Sequence, residues 1–194
     1  METIRFRDAL NNPKIRSVLV NHIKAGKVFV YPTDTIYGIG CNAEIEACVE
    51  KIRQAKGRPS DKNFSVIAPG KSWIWKVADL SKINMSFADS LLPGPYTIIV
   101  KARHGAPESV VSAEQKTIGI RLPKCDFAGL IAEAGVPFVT TSVNLSGGEP
   151  ITKVSDIPES MRYAIDFCID AGKISGLPSR VFDLTTDDIK IRRY

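Results

Sequence analysis

Apolar and polar positions along this chain follow two periods. After Asn12-Pro13, Ile15, Val18, Leu19 and Ile23 recur at the spacing of one helical face, and Gly26 ends the run. Asn at the cap and Pro at the first helical position predict where that helix starts. "EIEACVEKIRQAK" repeats the pattern, with Ile45, Cys48, Val49 and Ile52 inward and Gly57 as its stop. Elsewhere the period drops to two, or to short unbroken apolar runs: "KVFVY", "FSVIA", "YTIIVKA", "TIGIRLP", "PFVTTS", "IDFCIDAG", "SRVFDLT" and "IKIRR". Trp73, Trp75 and "INMSFADSLL" predict one or two short helices, and "DFAGLIAEAG" and "IPESMRYA" predict others. The reading comes to about seven strands and five or six helices, with boundaries good to a few residues. Helices and strands interleave, but several late strands follow one another directly. That order predicts an α/β fold: a twisted, open, mixed sheet with flanking helices.

Two segments break the pattern. "PTDTIYGIGCNA" follows the first predicted strand and is rich in turn formers and hydroxyls, so it reads as a loop. "VNLSGGEP" follows "PFVTTS" and reads as a glycine-rich loop. In open α/β sheets, ligands bind beyond the carboxyl ends of strands. Thr33, Thr35 and Tyr37 in the first segment are therefore candidates. So are Ser142, Asn144 and Ser146, whose alternation puts them on one side of an extended stretch. Arg121 stands in an otherwise apolar strand and needs an anionic partner, either a structural carboxylate or a ligand.

The chain has 194 residues, 44% of them hydrophobic and 24% charged, which suits one globular domain over 1–194. No apolar run approaches the roughly 20 residues that cross a bilayer. "METIRFRDAL" has no apolar signal core. The four cysteines, Cys41, Cys48, Cys125 and Cys168, form no C-x-x-C pair and suit free thiols in a cytosolic protein. Cys48 and Cys125 read as small buried apolar residues. His22 and His104 have no metal-site partner. The net charge of +5 suits any polyanion, RNA and nucleotides included.

Part of that charge is local. "RQAKGRPSDKN" holds Arg53, Lys56, Arg58 and Lys62, with Asn63 closing the run. Cations at a helix end offset the negative end of its dipole and need no ligand. However, Gly57 and Pro59 fix a tight turn. A Lys point charge and an Arg fork on one turn also suit a polyphosphate. The chain carries no G-x-S-x-G, H-E-x-x-H or G-x-x-x-x-G-K-[ST], so a nucleophile-driven hydrolase is not supported. Sites built from cations and hydroxyl or amide donors work by positioning and charge stabilisation.

"PTDTIYGIGCNA", "KGRPSDKN", "LLPGPYTIIV", "IGIRLP", "TTSVNLSG" and "GLPSRVFDL…IKIRRY" resemble, in that order, the blocks of the YrdC-type threonylcarbamoyl-AMP synthase family. The resemblance runs from about Lys27 to the C-terminus. It implies a YrdC-like fold around a concave basic cavity. It implies condensation of L-threonine, bicarbonate and ATP into L-threonylcarbamoyl-AMP and pyrophosphate, with Mg²⁺ carried on the ATP rather than on protein ligands. Downstream proteins would then transfer the threonylcarbamoyl group to adenosine 37 of tRNA. By position, Thr33, Thr35, Arg121, Ser142 and Ser179 would contact threonine, with Tyr37 lining the site. Lys56, Arg58, Lys62, Asn63, Thr117, Asn144, Thr152 and Arg192 would contact ATP. No residue would act as a nucleophile. The C-terminal second domain of longer relatives is absent from this sequence. The alternative is a module binding double-stranded RNA or tRNA without catalysis, for which no aromatic stacking motif is visible. Carbamoyl transfer in hydrogenase maturation is weaker still, because that domain type sits in longer chains with zinc-finger-like cysteines.

Overall fold

A computed structural model describes residues 1–193; Tyr194, the last residue of the final block, lies outside them. The order of elements begins β1 (Glu2–Arg5), α1 (Phe6–Asn11), α2 (Pro13–Lys24), β2 (Phe29–Tyr31), β3 (Gly38–Gly40) and α3 (Glu46–Lys56). It continues with β4 (Ser65–Ile67), α4 (Lys71–Val77), β5 (Ala78–Asp79), α5 (Lys82–Leu91), β6 (Tyr96–Ala102) and β7 (Thr117–Arg121). It closes with α6 (Asp126–Ala134), β8 (Phe138–Ser142), α7 (Glu159–Arg162), β9 (Phe167–Asp170), β10 (Arg180–Asp183) and β11 (Lys190–Arg193).

Local chemistry sets the helix ends. The Asn12 side chain accepts the amides of Lys14 and Ile15 at 3.0 and 3.4 Å, capping α2. Past α2 comes Gly26 with φ +78°, and past α3 comes Gly57 with φ +56°. Both adopt the left-handed conformation that stops a helix. The buried stripe of α2 is Leu19, Val20 and Ile23, whereas Val18, expected inward, is exposed.

One mixed sheet runs through the molecule in the order β1-β9-β2-β3-β8-β4-β7-β6-β10-β11, with β5 on β6. Its pairings are partly parallel, as in β4 with β7, and partly antiparallel, as in β8 with both β3 and β4. β8 therefore joins the two halves of the sheet.

The register sorts side chains onto two faces. One face carries Val30, Ile39, Val66, Val139, Ile98 and Ile120, packed with Val49 and Ile52 of α3, Ile74 and Val77 of α4 and Met161 of α7. The other face carries Phe29, Tyr31, Ile67 and Phe138, packed with Leu19 and Ile23 of α2 and Phe127, Leu130 and Ile131 of α6. Only part of this second face is covered. Further along the same strands the facing residues become Thr140 and Ser142 on β8 and Ser65 on β4. Arg121 on β7 and Thr97 on β6 continue that polar set.

Strand β3 lies in the segment that reads as a loop. Its glycines signal turns by composition, but here they are packing devices. A Cβ on Gly38 would stand 2.8 Å from the Tyr31 ring, and one on Gly40 would stand 1.7 Å from the Val139 carbonyl oxygen. β1 and α1 likewise leave no signal in the apolar pattern; β1 is an edge strand whose side chains are largely exposed. Among the described residues no helix is long and apolar enough to cross a membrane.

The Gly40 contact generates a test. Gly40→Ala drives a methyl into the backbone of β8 and should cost about 3 kcal/mol. Gly135 has φ +72°, and a Cβ added there would meet nothing within 4 Å. Gly135→Ala should therefore cost only about 1 kcal/mol, from backbone strain. Urea denaturation of both variants checks the order; equal losses would contradict it.

Candidate active site

The uncovered part of the second sheet face is the floor of a cavity of about 410 Å³. Ser65, Thr97, Thr140, Ser142 and Ser179 bring hydroxyls to it, and Thr141 also borders it. The boundary with the apolar part of the face is itself hydrogen bonded: the Tyr31 hydroxyl donates to Thr140 Oγ1 at 2.8 Å. Thr97 Oγ1 and Ser179 Oγ lie 2.8 Å apart and join β6 to the start of β10. Glycine on the neighbouring strand leaves room for the Ser65 hydroxyl. At Gly119 a Cβ would meet Ser65 Oγ at 2.5 Å.

Arg121 enters this floor from β7 and is 7% exposed. Its Nη2 donates to Asp34 Oδ1 at 3.0 Å and to Thr35 Oγ1 at 3.2 Å. The other oxygen of Asp34 accepts the Lys124 amide at 2.9 Å. Nε of Arg121 is buried and has no hydrogen-bond partner among the described residues. The neighbouring turn is internally knit, since Thr33 Oγ1 accepts the amides of Thr35 and Ile36 at 3.1 and 3.2 Å. So Arg121 has a resident carboxylate on one edge and an unused donor on another.

The basic run divides more sharply than its composition suggests. Arg53, which reads as helix surface, folds under the turn and donates from Nη1 to the carbonyls of Pro59 and Lys62 at 3.0 and 2.9 Å. Arg58 donates to the carbonyls of Lys62 and Asn63 at 3.0 and 2.8 Å and lines the cavity. Both guanidinium carbons sit 5.0 Å from the centroid of the Phe64 ring. Lys62 is exposed.

Lys56 does not join Arg58 on one side of the turn. Val49, Ile52 and Lys56 fall at i, i+3 and i+7, so the helical period carries Lys56 onto the buried stripe of α3. Its Nζ reaches the carbonyls of Ser142 and Asn144 at 2.5 and 2.7 Å and Asn144 Oδ1 at 3.3 Å. Burial first, and then the charge of Arg58, lower its amine to about 7.

Thus Thr33, Tyr37, Arg58, Asn63, Arg121, Ser142 and Ser179 meet at one cavity. Thr35 and Asn144 stand behind it, bonded to Arg121 and Ser142. Tyr37 is fully buried, and its hydroxyl donates to the Gly172 carbonyl at 2.8 Å, so its polar tip faces away from a ligand. Lys62, Thr117, Thr152 and Arg192 are not among the lining residues. Arg192 instead staples β11 to β10, donating from Nη2 to Asp183 Oδ2 at 2.7 Å. Thr152 offers its carbonyl to the Ile174 amide at 2.8 Å.

Sequence reading misses Ser65, Thr97, Thr140, Thr141 and Glu149. The alternation of Thr140 with Ser142 is a usable signal. The others depend on which strands pair.

Beyond Asn63 lies a second cavity of about 430 Å³, lined by Glu46, Glu50, Asp61, Glu108 and Glu114. Its charge is opposite, and it does not suit an anion. The cysteines offer no nucleophile. Burial pushes Cys168 up to about 12 and raises Cys41, Cys48 and Cys125 as well. Cys41 and Cys168 are the buried pair, whereas Cys48 and Cys125, expected to be buried, are partly exposed.

A mixed sheet with helices on both faces, and a hydroxyl-floored, arginine-edged cavity where one face is left bare, defines an α/β protein suited to anions. The chain belongs to the Sua5/YciO/YrdC family, whose family description is "Telomere recombination" and whose match covers residues 21–194. A Methanocaldococcus jannaschii protein, provisionally named threonylcarbamoyl-AMP synthase, is 36% identical over 178 residues, 91% of this chain and 83% of the relative. The uncharacterized protein YciO of Escherichia coli is 30% identical over 181 residues, 91% of this chain and 88% of the relative. The crystal structure of Pyrococcus abyssi Sua5 complexed with L-threonine superposes with a TM-score of 0.85 at 26% identity, covering 98% of this chain. This chain spans 56% of that Sua5 chain.

The Arg121–Asp34 pair is testable without any ligand. Its side chains are 9% and 12% exposed, so removing one partner strands a mostly buried charge. Arg121→Met should cost about 3–5 kcal/mol. Urea denaturation measures it; wild-type stability in that variant would contradict the assignment.

Proposed function

We propose that this chain forms L-threonylcarbamoyl-AMP and pyrophosphate from L-threonine, bicarbonate and ATP. The observation that carries the reading is the bare half-face of the sheet. It gathers hydroxyl donors and the Arg58 and Arg121 guanidiniums around one cavity, with no His or Cys among its lining residues. The name carried by the Methanocaldococcus relative and the threonine bound to Pyrococcus Sua5 support the same reading.

In chemical terms, the deprotonated threonine amine attacks the bicarbonate carbon and water leaves. The resulting carbamate oxygen then attacks the α-phosphorus, and pyrophosphate departs with the electron pair of the bond that breaks. Each step needs alignment and compensation of negative charge, which fixed donors supply without reorganisation. Arg58 would face the phosphates. The edge of Arg121 not taken by Asp34 would face the threonine carboxylate. Ser142 and the floor threonines would complete the donors. Among the described residues no group of three or more His, Cys, Asp or Glu gathers to hold a metal ion. Mg²⁺ would instead ride on the triphosphate. The product would pass to proteins that transfer threonylcarbamoyl to tRNA. An RNA-binding module is not favoured: Tyr37 and Phe64, the rings at the cavity, are buried and offer no stacking platform.

Pyrophosphate release should occur only when threonine and bicarbonate are both present. Release indifferent to threonine would overturn the proposal. Arg58→Ala removes a charge-assisted contact worth about 1.5–3 kcal/mol and should weaken ATP binding by one to two orders of magnitude. Calorimetric titration checks this, and unchanged affinity would remove Arg58 from the phosphate site.

A further inference from the structure

Lys56 is a charged side chain in the wrong place for a ligand contact. It is 2% exposed, and it is not among the residues that line the cavity. An ammonium has three N–H donors. Here all three have acceptors, and all three acceptors lie at the end of β8 or in the loop after it: the Ser142 carbonyl, the Asn144 carbonyl and Asn144 Oδ1.

The rest of that loop is built on the same anchor. The Ser146 amide donates to the Lys56 carbonyl at 2.8 Å. Asn144, held by Lys56, donates from Nδ2 to the carbonyls of Leu145 and Gly148, both at 2.7 Å. Ser142 Oγ donates to Asn144 Oδ1 at 2.5 Å. One cation therefore gathers the loop carbonyls inward and fixes the rotamer of Ser142, whose side chain faces the cavity. A phosphate could take this ammonium only by stripping buried carbonyls of their donor.

We infer that Lys56 is a positioning residue: it pins the loop of residues 142–148 to the end of α3, setting Ser142 and Asn144 at the cavity edge, and does not itself contact phosphate. The inference deepens the proposed function but does not need it, because the loop's order is measurable in the free protein.

The amine's position near 7 sharpens the test. The charge acting on Lys56 is that of Arg58 on the following turn, and the loop groups facing it, Ser142 and Asn144, do not titrate. Because the folded value lies below the unfolded one, the folded state binds fewer protons between them. The Lys56 contribution to global stability therefore becomes more favourable, not less, as pH rises above about 7. What the loop loses over that range is one donor, since a neutral amine has two N–H groups for three acceptors.

The test uses Lys56→Met, which keeps the apolar stem and removes the ammonium. Amide exchange across residues 142–148 should quicken about tenfold or more in that variant, with α2 and α6 unchanged. Its affinity for inorganic tripolyphosphate should stay near wild type, while Arg58→Ala loses about tenfold. In the wild-type protein the Asn144 side-chain amide resonances should titrate with a midpoint near 7, and in Lys56→Met they should not. Loss of tripolyphosphate affinity in Lys56→Met with loop exchange unchanged would overturn the inference. If Lys56→Met fails to fold, tripolyphosphate titration of the wild-type protein still decides: a shift of the Lys56 side-chain resonances as large as that of the Arg58 guanidinium would overturn the inference. If no protein binds tripolyphosphate but the loop loosens, the positioning role stands and the proposed function fails.

Discussion

The placement of β8 between β3 and β4 is the constraint on which the rest of the structure depends. Its backbone pairs on both sides, and Gly40 lets β3 approach the Val139 carbonyl where any side chain would collide. A shift of one residue would turn Thr140 and Ser142 into the apolar core and bring Val139 to the cavity. With the register fixed, hydroxyls from four strands face one way. The bare half-face then follows from where α2 and α6 stop covering the sheet.

Three cations of the basic run are spoken for by backbone carbonyls, and Arg121 by a carboxylate. Arg53 and Arg58 hold the turn at 59–63, Lys56 holds the loop after β8, and Asp34 holds Arg121. The contacts made by Arg53, Arg58 and Lys56 satisfy carbonyls of the 59–63 turn and of the end of β8 and its loop. They also make the cavity rigid before any ligand arrives. Preorganised donors cost nothing to reorient when charge develops in a reaction. The basic run is therefore both structural and functional, and the division falls residue by residue.

Much of this is legible in the sequence. Asn12-Pro13, Gly26 and Gly57 mark real helix ends, and most strands lie where alternation puts them. Thr33, Arg121, Ser142 and Ser179 come together as their block pattern implies. What stays hidden depends on distant pairing. Gly38 and Gly40 read as turn signals because nothing local shows that Tyr31 and Val139 crowd them. Thr97 and Ser65 become floor residues only when β6 and β4 take their places in the sheet. Lys56 is different. Its spacing from Val49 and Ile52 already places it on the buried face of α3, and the attraction of a Lys-x-Arg clamp outweighs that signal. Arg192 is drawn to a ligand by resemblance, but Asp183 lies across the strand pair and takes it.

The most direct measurement is an NMR titration of the labelled protein with ATP and magnesium. Binding on the bare half-face predicts shifts at Ser65, Arg58, Thr140, Thr141 and Ser142, with Glu46, Glu50 and Glu108 unmoved. Shifts centred on the acidic cavity, with the hydroxyl floor silent, would contradict the account.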